Sequence, residues 1–304
     1  MKIPSDCIQI LLNYLENRKQ CVKFHGQFSK LTTIISGVPQ GSILGPMLFN
    51  FFVRDLKHNN DLCRTIKYAD DTTILVPHFR NTSSCDLIKN EMDCVKSWCL
   101  ARGLALNTEK TKVITISNRI SKNITSFNVS ELIAKAVTEV KLLGVHINSD
   151  FTWNLHFDKI CKIFGSRLSA LRTLKNALDK HELMQVYNSL LGSLIDYACP
   201  VFMTASKKND TQVNRAICRA HKIICGNGCR KECLGTVQKR RNELSMRLYK
   251  IILSHSDHIL NSMLPPESSH SKRRIIPHCT NSNRLSSFEI ECSIQFNNYI
   301  TIPK

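Results

Sequence analysis

Two adjacent carboxylates, Asp70 and Asp71, are the residues of this sequence best suited to carry out chemistry. Short apolar segments at 65–68 and 72–76 flank them, which predicts a hairpin with both acids at its tip. Such a tip can present a carboxylate to divalent cations, and magnesium prefers carboxylate, water and phosphate oxygens. In two-metal phosphoryl transfer, one ion activates an attacking hydroxyl and the other stabilises the leaving group. Asp is also frequent in turns without catalytic roles, so a structural turn remains the alternative.

The loop at 37–41, Gly-Val-Pro-Gln-Gly, is the second candidate for a functional segment. Its glycines permit close backbone approach and Pro39 fixes one φ angle. Because the loop opens a predicted helix over 42–56, it can pack under a nucleotide and a template base, with the Gln40 amide available for hydrogen bonding. The alternative is a purely structural turn between a strand and a helix.

The elements around these motifs change in character near residue 150. Before it, strands alternate with helices, and after Trp153 the apolar spacing is helical throughout. This change predicts an α+β first half and an α-helical second half. The predicted elements of the first half, besides those named above, are helices at 6–17 and 83–102, a hairpin at 18–35, and strands at 112–117 and 140–147.

The order and spacing of the motifs resemble the palm of reverse transcriptases from non-LTR retrotransposons, and jockey-like and CR1-like elements are the most similar. The stretch from Gly37 to Pro46 is followed 22 residues later by Tyr68-Ala69-Asp70-Asp71. The resemblance is strong over 18–153 and weak after 240. The remaining similar stretches are 98–112 (next palm motif), 140–145 (primer-grip strand), and 166–175 and 213–226 (thumb and post-thumb helices).

The resemblance implies a role for each motif in RNA-directed DNA synthesis. Asp70 and Asp71 would be hairpin carboxylates of a site for two Mg²⁺ ions, with Asp70 as the direct ligand. The partners would be an RNA template, a DNA primer and deoxynucleotides. Lys112 could equally be a solvated strand residue. The residues expected near nucleotide or primer are Gln40, Gly41, Tyr68, Lys110 and Lys112.

The family has a further metal-binding aspartate on an earlier palm strand, ahead of the helix at 6–17. Asp6 and Glu16 lie on the cap and face of that helix, and Asp55 lies beyond the glycine loop. None of these three acids lies in a sequence context like that of the family's aspartate, so none is expected to replace it. The sequence is therefore expected to be a fragment that lacks this aspartate and the fingers, and is inactive alone. The alternative is a non-catalytic nucleic-acid-binding remnant of a retroelement.

The charge of the chain favours a polyanionic partner. The 42 Lys and Arg against 24 Asp and Glu give a net charge of +18, and neutralising phosphates releases counterions. A soluble basic protein without such a partner is the alternative. Within a basic region from Arg215 to Lys250, residues Lys239, Arg240 and Arg241 are predicted to contact a nucleic-acid backbone, unless they form only a solvated helical face.

The 14 cysteines are scattered through apolar segments, which predicts reduced, buried side chains. Zinc binding was weighed for the run at 218–233, where Cys and His recur every three or four residues. Paired Cys-x2-Cys spacings are absent and the same period describes one helix face, so a buried helical face is preferred. Cys225, Cys229 and Cys233 are predicted to bind no zinc tightly.

The sequence therefore predicts a partial right-hand polymerase. Residues 1–150 would form a partial palm, 151–235 a helical thumb-like region, and 236–304 a basic helical tail that is partly irregular. No run of eighteen apolar residues predicts a membrane span, and the N-terminus has no apolar core of a signal peptide. The protein is expected in the nucleus or cytoplasm, with its oligomeric state left open.

Overall fold

The structure, a computed structural model, describes residues 4–77, 84–116, 135–226, 234–268, 274–276 and 288–301. The chain forms two compact units. Of the described residues, the N-terminal unit holds 4–77, 84–111 and Lys135, and the C-terminal unit holds 112–116 and the residues from Ala136 onward. The strands near residue 140 fall in the C-terminal unit, and the domain boundary expected near residue 150 remains a prediction. The assignment of palm, thumb and tail remains a prediction.

The N-terminal unit begins with a helix and two short antiparallel strand pairs. The predicted hairpin at 18–35 is confirmed, because β1 pairs with β4 and β2 with β3. His25 and Gly26 form its turn, with φ angles of 46° and 82°, a conformation that favours a glycine. The elements are α1 (Ser5–Leu15), β1 (Lys19–Gln20), β2 (Lys23–Phe24), β3 (Gln27–Phe28) and β4 (Thr32–Thr33).

The rest of this unit packs two helices with a longer hairpin. Its core is small: Leu56, Val95 and Cys99 are buried and form a cluster with partly buried neighbours such as Ile74 and Trp98. The helix predicted at 42–56 is shorter, since the chain leaves helical geometry at Val53. The elements are α2 (Leu44–Phe52), β5 (Arg64–Tyr68), β6 (Asp71–Leu75) and α3 (Ser84–Ala101).

The C-terminal unit contains a hairpin of its own, which corrects one expectation. A single strand interrupted at Gly144 was predicted over 140–147, but β9 (Glu139–Leu142) and β10 (Val145–Asn148) pair antiparallel. Leu143 and Gly144 turn the chain, with φ angles of 46° and 86°. The Tyr197 hydroxyl donates to the Leu143 carbonyl at 2.5 Å, so a residue that is distant in the sequence helps to hold this turn. The preceding short strands are β7 (Lys112–Val113) and β8 (Lys135–Ala136).

The helical character expected after Trp153 is confirmed. A capping box starts α5, in which the Asp179 side chain accepts from the Glu182 N–H and Glu182 accepts from the Asp179 N–H. The helices are α4 (Asn154–Leu174), α5 (Lys180–Tyr187), α6 (Ser193–Asp196), α7 (Lys207–Cys225), α8 (Val237–Ser254) and α9 (Phe288–Thr301), with short 3₁₀ turns at Cys199–Thr204 and Asn261–Met263.

A π-helical turn, Asn188–Gly192, joins α5 to α6. A turn of this type widens the helix by one residue and leaves its carbonyls poorly matched to the usual donors. The Arg167 guanidinium of α4 donates to the Leu190 carbonyl at 2.7 Å. Leu191 is buried within the turn and Ile195 is buried one turn later, so the helix keeps an apolar face toward the core on both sides of it.

The core of the C-terminal unit is large and lies between α4, α5 and α7 and their neighbours. Phe164, Leu171 and Leu191 are each 1% exposed. The Trp153 indole N–H donates to the Thr204 hydroxyl at 2.8 Å, which satisfies the polar atom of a buried ring. No helix in the described ranges is long and apolar enough to cross a membrane.

Candidate active site

The β5–β6 hairpin places Asp70 and Asp71 at its tip, as the sequence predicted. The strands pair in register from Arg64 with Leu75 to Tyr68 with Asp71. Ala69 and Asp70 form the two-residue turn, in which Ala69 has a φ of 51°. A non-glycine residue with positive φ is uncommon and costs free energy. Both aspartates are exposed, so their carboxylates are open to solvent and to a ligand.

The two carboxylates occupy different positions in the turn. Asp70 lies within the turn itself, whereas Asp71 is the first residue of β6 and pairs with Tyr68. The two acids therefore have different backbone settings, one in a turn and the other at the start of a strand.

The loop at 37–41 is a tight turn that leads into α2. Gly37 and Gly41 have φ angles of 89° and 78°, which only glycine adopts without strain. The Ser42 hydroxyl donates to the Pro39 carbonyl at 2.8 Å and accepts from the Gly45 N–H at 3.0 Å. This ties the loop to the first turn of the helix and leaves Gln40 exposed.

Gly45 has a separate reason to be glycine. A Cβ atom there would lie 2.7 Å from the Pro39 carbonyl oxygen and 2.8 Å from the Ser42 hydroxyl oxygen. Real Cβ atoms do not approach that closely, so a larger residue would push the loop away from the helix. The sequence motif thus extends to Gly45 for a packing reason. The distance between this loop and Asp70, expected to be short, remains a prediction.

Lys67, which sequence reasoning did not single out, connects the hairpin to the end of α2. Its ammonium donates to the carbonyls of Val53 at 2.6 Å, Arg54 at 3.1 Å and Leu56 at 3.0 Å. Burial lowers the pKa of Lys67, and the Asp55 carboxylate opposes that shift. The available sequence signal was a lysine at an inward position of a strand, where a cation requires partners.

Glu91 of α3 is a second residue that sequence reasoning missed. It is 1% exposed and accepts from the Asn59 N–H at 2.9 Å and the Asn60 N–H at 2.8 Å. Backbone donors can satisfy a buried carboxylate in this way. Glu91 thereby holds the segment that enters β5. Burial first, and then the charge of Glu91, raise the pKa of the neighbouring Cys63 thiol.

The donor set at the hairpin tip fits a hard divalent cation. Two exposed carboxylates supply oxygen ligands, which Mg²⁺ prefers over nitrogen or sulfur. Within the part of the chain that the structure describes, no group of three or more His, Cys, Asp or Glu side chains is arranged to hold a metal ion. Asp70 and Asp71 are thus candidate contributors to a metal site.

Comparison with known proteins identifies the family. Residues 1–147, which contain the glycine loop and the hairpin, match the family described as "Reverse transcriptase (RNA-dependent DNA polymerase)". This part of the chain is therefore similar to reverse transcriptase domains. The matched range spans the N-terminal unit and continues through most of the β9–β10 hairpin. The family is one whose members generally depend on divalent metal ions.

The relatives place the domain among non-LTR retrotransposons, as the sequence motifs indicated. The chain is 24% identical over 209 residues to "RNA-directed DNA polymerase from mobile element jockey" of Drosophila funebris, covering 66% of this chain and 23% of the relative. It is 23% identical over 285 residues to "Probable RNA-directed DNA polymerase from transposon BS" of Drosophila melanogaster, covering 90% of this chain and 31% of the relative. The chain thus spans 23% and 31% of the lengths of these two relatives.

The two late lysines of the reverse transcriptase domain are both exposed. The Lys110 N–H donates to the Asn107 side chain at 3.0 Å, in a turn that follows α3. Lys112 lies in β7. The structure leaves both residues exposed, so either ammonium group can approach a phosphate.

The three basic residues predicted to contact a nucleic-acid backbone have different environments. Arg241 is buried and pairs with the buried Asp210 at 2.5 Å. Arg240 makes two hydrogen bonds to Asp196, at 2.9 and 2.6 Å. Lys239 is exposed. Breaking a buried pair leaves an uncompensated charge, so the geometry favours a structural role for Arg241 and leaves Lys239 as the accessible cation.

The cysteine run is only partly described, because Cys229 and Cys233 lie outside the described residues. Cys218, His221 and Cys225 all lie on α7. Cys218 is exposed, whereas His221 is buried. The three side chains therefore do not share one buried face, which differs from the expected arrangement. The prediction that the run binds no zinc tightly remains a prediction.

Proposed function

We propose that this chain forms part of a polymerase that synthesises DNA on an RNA template. The observation that carries the proposal is the exposed Asp70-Asp71 turn, on a paired hairpin inside the range that matches reverse transcriptases. The relatives' names describe RNA-directed DNA polymerases. RNA template, DNA primer and deoxynucleotides are accordingly the proposed substrates.

In the proposed reaction, the 3′ hydroxyl of the primer attacks the α-phosphorus of a deoxynucleotide, and pyrophosphate leaves. Mg²⁺, when bound, supplies activation of the attacking hydroxyl and stabilisation of the leaving group. Asp70 would provide a carboxylate ligand for the metal, and Asp71 would be an adjacent oxygen donor. Asp70 lies in the two-residue turn between β5 and β6, and Asp71 is the first residue of β6.

The other candidate residues would position substrates. Gln40 and Gly41 lie at the exposed turn before α2, where the amide can hydrogen bond to the incoming nucleotide or the template base. Tyr68 is exposed next to the turn and is proposed to lie near the primer end. Lys110 or Lys112 would neutralise phosphate charge.

The assay uses primer extension on an RNA template. Because the chain spans about a quarter of the jockey relative, we would test residues 1–304 alone and also a jockey polymerase whose aligned segment is replaced by this chain. We expect extension by the chimera and none by residues 1–304 alone. Asp70→Asn should reduce the chimera's rate by at least about a thousandfold, equivalent to roughly 4 kcal/mol.

Asp61→Asn is the matched control, because Asp61 is also an exposed aspartate in a turn of the N-terminal unit. It should extend primers at the unmodified rate. Extension that is unaffected by Asp70→Asn would contradict the proposal. So would a folded chimera that binds primer and template but does not extend, when the unmodified relative does.

Nucleic-acid binding without catalysis is the second candidate function, and the exposed face of α7 favours it. Arg215, Arg219 and Lys222 are exposed along that helix, and none has a carboxylate partner among the described residues. Binding of an RNA–DNA hybrid should weaken as salt rises. Replacing all three with Ala should reduce the salt slope by about 2.7, at roughly 0.9 per phosphate contact, and an unchanged slope would exclude this face. Lys239→Ala should reduce the slope by about 1.

A further inference from the structure

The Lys67 ammonium has three N–H donors and meets three backbone carbonyls. The acceptors are Val53, Arg54 and Leu56, at 2.6, 3.1 and 3.0 Å. These carbonyls belong to the turn in which α2 ends. The last carbonyls of a helix and its terminal turn lack intrahelical partners and carry partial negative charge. A cation at this position donates hydrogen bonds to these carbonyls and also compensates their partial negative charge.

The surroundings of this contact are well packed. Val53 and Leu56 are 8% and 6% exposed, so the turn that Lys67 reaches is part of the small core of the N-terminal unit. Asp55 in the same turn forms an ion pair with Arg102, at the end of α3. The ammonium therefore meets a turn whose apolar residues are buried and whose Asp55 is paired with Arg102.

Lys67 lies three residues before Asp70 and pairs with Thr72 across the hairpin. At the other end of α2, the Ser42 hydroxyl ties the helix to the loop at 37–41. One continuous set of contacts thus runs from the glycine loop through α2 to the strand that carries the acids. Lys67 supplies the hydrogen bonds of that set from the hairpin, and Ile74 of β6 adds an apolar contact with the cluster that contains Leu56.

We propose that Lys67 is a positioning residue, which clamps the aspartate-bearing hairpin to the end of α2 so that the turn at Asp70 and the loop at 37–41 are held in one fixed arrangement. The proposal goes beyond the assignment of carboxylates, and it rests on the proposed function only where it concerns catalysis. Lys67 itself is directed at backbone carbonyls and would touch neither substrate nor metal.

Hydrogen exchange in the chain of residues 1–304 tests the clamp directly. Lys67→Met keeps the apolar stem and removes the three donors. We expect amide exchange in 53–56 and 64–75 to accelerate by about tenfold or more, whereas exchange across α4 and α7 should be unchanged. Lys67→Arg keeps the charge but has a planar fork in place of three tetrahedral donors, so its exchange should be intermediate.

Arg64→Met is the matched control. Arg64 lies on the same strand, is exposed, and occupies the position three residues before Lys67. It should leave exchange in 53–56 unchanged. If Lys67→Met exchanges at the unmodified rate in 53–56 and 64–75, or if Arg64→Met accelerates both segments equally, the clamp does not exist.

The catalytic consequence is measured in the jockey chimera, with rates corrected for the active fraction. Lys67→Met should lower kcat by about tenfold or more while KM for the deoxynucleotide stays within about twofold, since a misplaced carboxylate weakens the transition state more than substrate binding. The metal concentration for half-maximal rate should rise severalfold, and Lys67→Arg should recover part of both losses. A merely structural role would change the active fraction and neither kinetic constant.

Hydrogen exchange and chimera kinetics together distinguish a failure of the clamp from a failure of the proposed function. If the chimera shows no Asp70-dependent synthesis, the proposed function fails, and hydrogen exchange still decides the clamp. If synthesis depends on Asp70 but Lys67→Met leaves kcat and the metal requirement unchanged, the positioning role is overturned while the proposed function stands.

Discussion

The two compact units differ in how they bury their apolar residues. In the C-terminal unit, long helices enclose side chains such as Phe164 and Leu171, which are 1% exposed. In the N-terminal unit, α1 has no buried residue, and Met47 and Phe51 of α2 are 66% and 55% exposed. The C-terminal unit thus resembles an ordinary folded core, whereas the N-terminal unit leaves much apolar surface in solvent.

This difference shows that stability and chemistry are concentrated in different places. Large exposed apolar surfaces mark interaction sites or unstable regions, and the candidate catalytic turn lies on the unit that has them. The small core around Leu56, Val95 and Cys99 leaves that unit dependent on polar contacts such as those of Lys67 and Glu91. Polar clamps therefore matter more there than in the helical unit.

The largest expected effect is on the buried ion pair of the C-terminal unit. Arg241→Met should lower the free energy of unfolding by roughly 3–5 kcal/mol, because it leaves Asp210 buried without its partner. Arg240→Met, at a half-exposed pair with Asp196, should cost about 1 kcal/mol or less. Urea unfolding followed by Trp153 fluorescence measures both, in a Trp98→Phe background that leaves one tryptophan. If the two variants lost equal free energy of unfolding, the buried pair would be no more important for stability than the half-exposed pair.

A core truncation should show the contrast between the units most plainly. Leu171→Ala should cost about 2–5 kcal/mol, from lost burial and the cavity left behind. Met47→Ala on exposed α2 should stay within about 0.5 kcal/mol. Urea unfolding monitored by circular dichroism compares the two. A large loss for Met47→Ala would mean that α2 is covered in solution and that the contrast is overstated.

His156 should contribute to the pH dependence of the stability of the C-terminal unit. Burial first, and then the charge of His146, lower the pKa of His156 from 6.5 to about 4. The fold therefore favours the neutral ring, which stacks on Phe202 at 4.5 Å between ring centroids. Its stabilising contribution, at most about 3 kcal/mol, is present above pH 6.5 and is lost as the pH falls toward 4. In urea unfolding measured from pH 7 to pH 4, the His156→Gln variant should not show this loss of unfolding free energy. The control variant His181→Gln, at an exposed histidine, should still show it.

The smallest effect on stability is expected at the catalytic turn. Asp70→Asn should change the free energy of unfolding by less than about 0.5 kcal/mol, because the side chain is exposed and has no partner among the described residues. Thermal unfolding compares it with Asp61→Asn. A stability loss of several kcal/mol would show that Asp70 holds the hairpin together, and a loss of primer extension could then not be ascribed to metal binding alone.

Sequence reasoning located the local features of the site and missed those that depend on distant partners. The Asp70 turn and the His25-Gly26 hairpin were predictable, because alternation and turn residues are local signals. The pairing of Arg241 with Asp210 and the reach of Lys67 to Val53 join residues that are far apart in sequence. The residues that neighbour a charged side chain in the sequence do not show which distant residue it will contact. The β9–β10 hairpin was missed because its turn begins with Leu143, an unusual residue for a positive φ.

The π-helical turn at Asn188–Gly192 has a consequence for the length of the chain. A π turn accommodates one extra residue while the helix on either side keeps its facing. Tyr187 before it and Ile195 after it are both buried. A chain shorter by one residue within 188–192 could close into a regular α-helix and still point both side chains into the core. The turn is thus a place where the loss of one residue can be absorbed locally, without shifting the helices that follow.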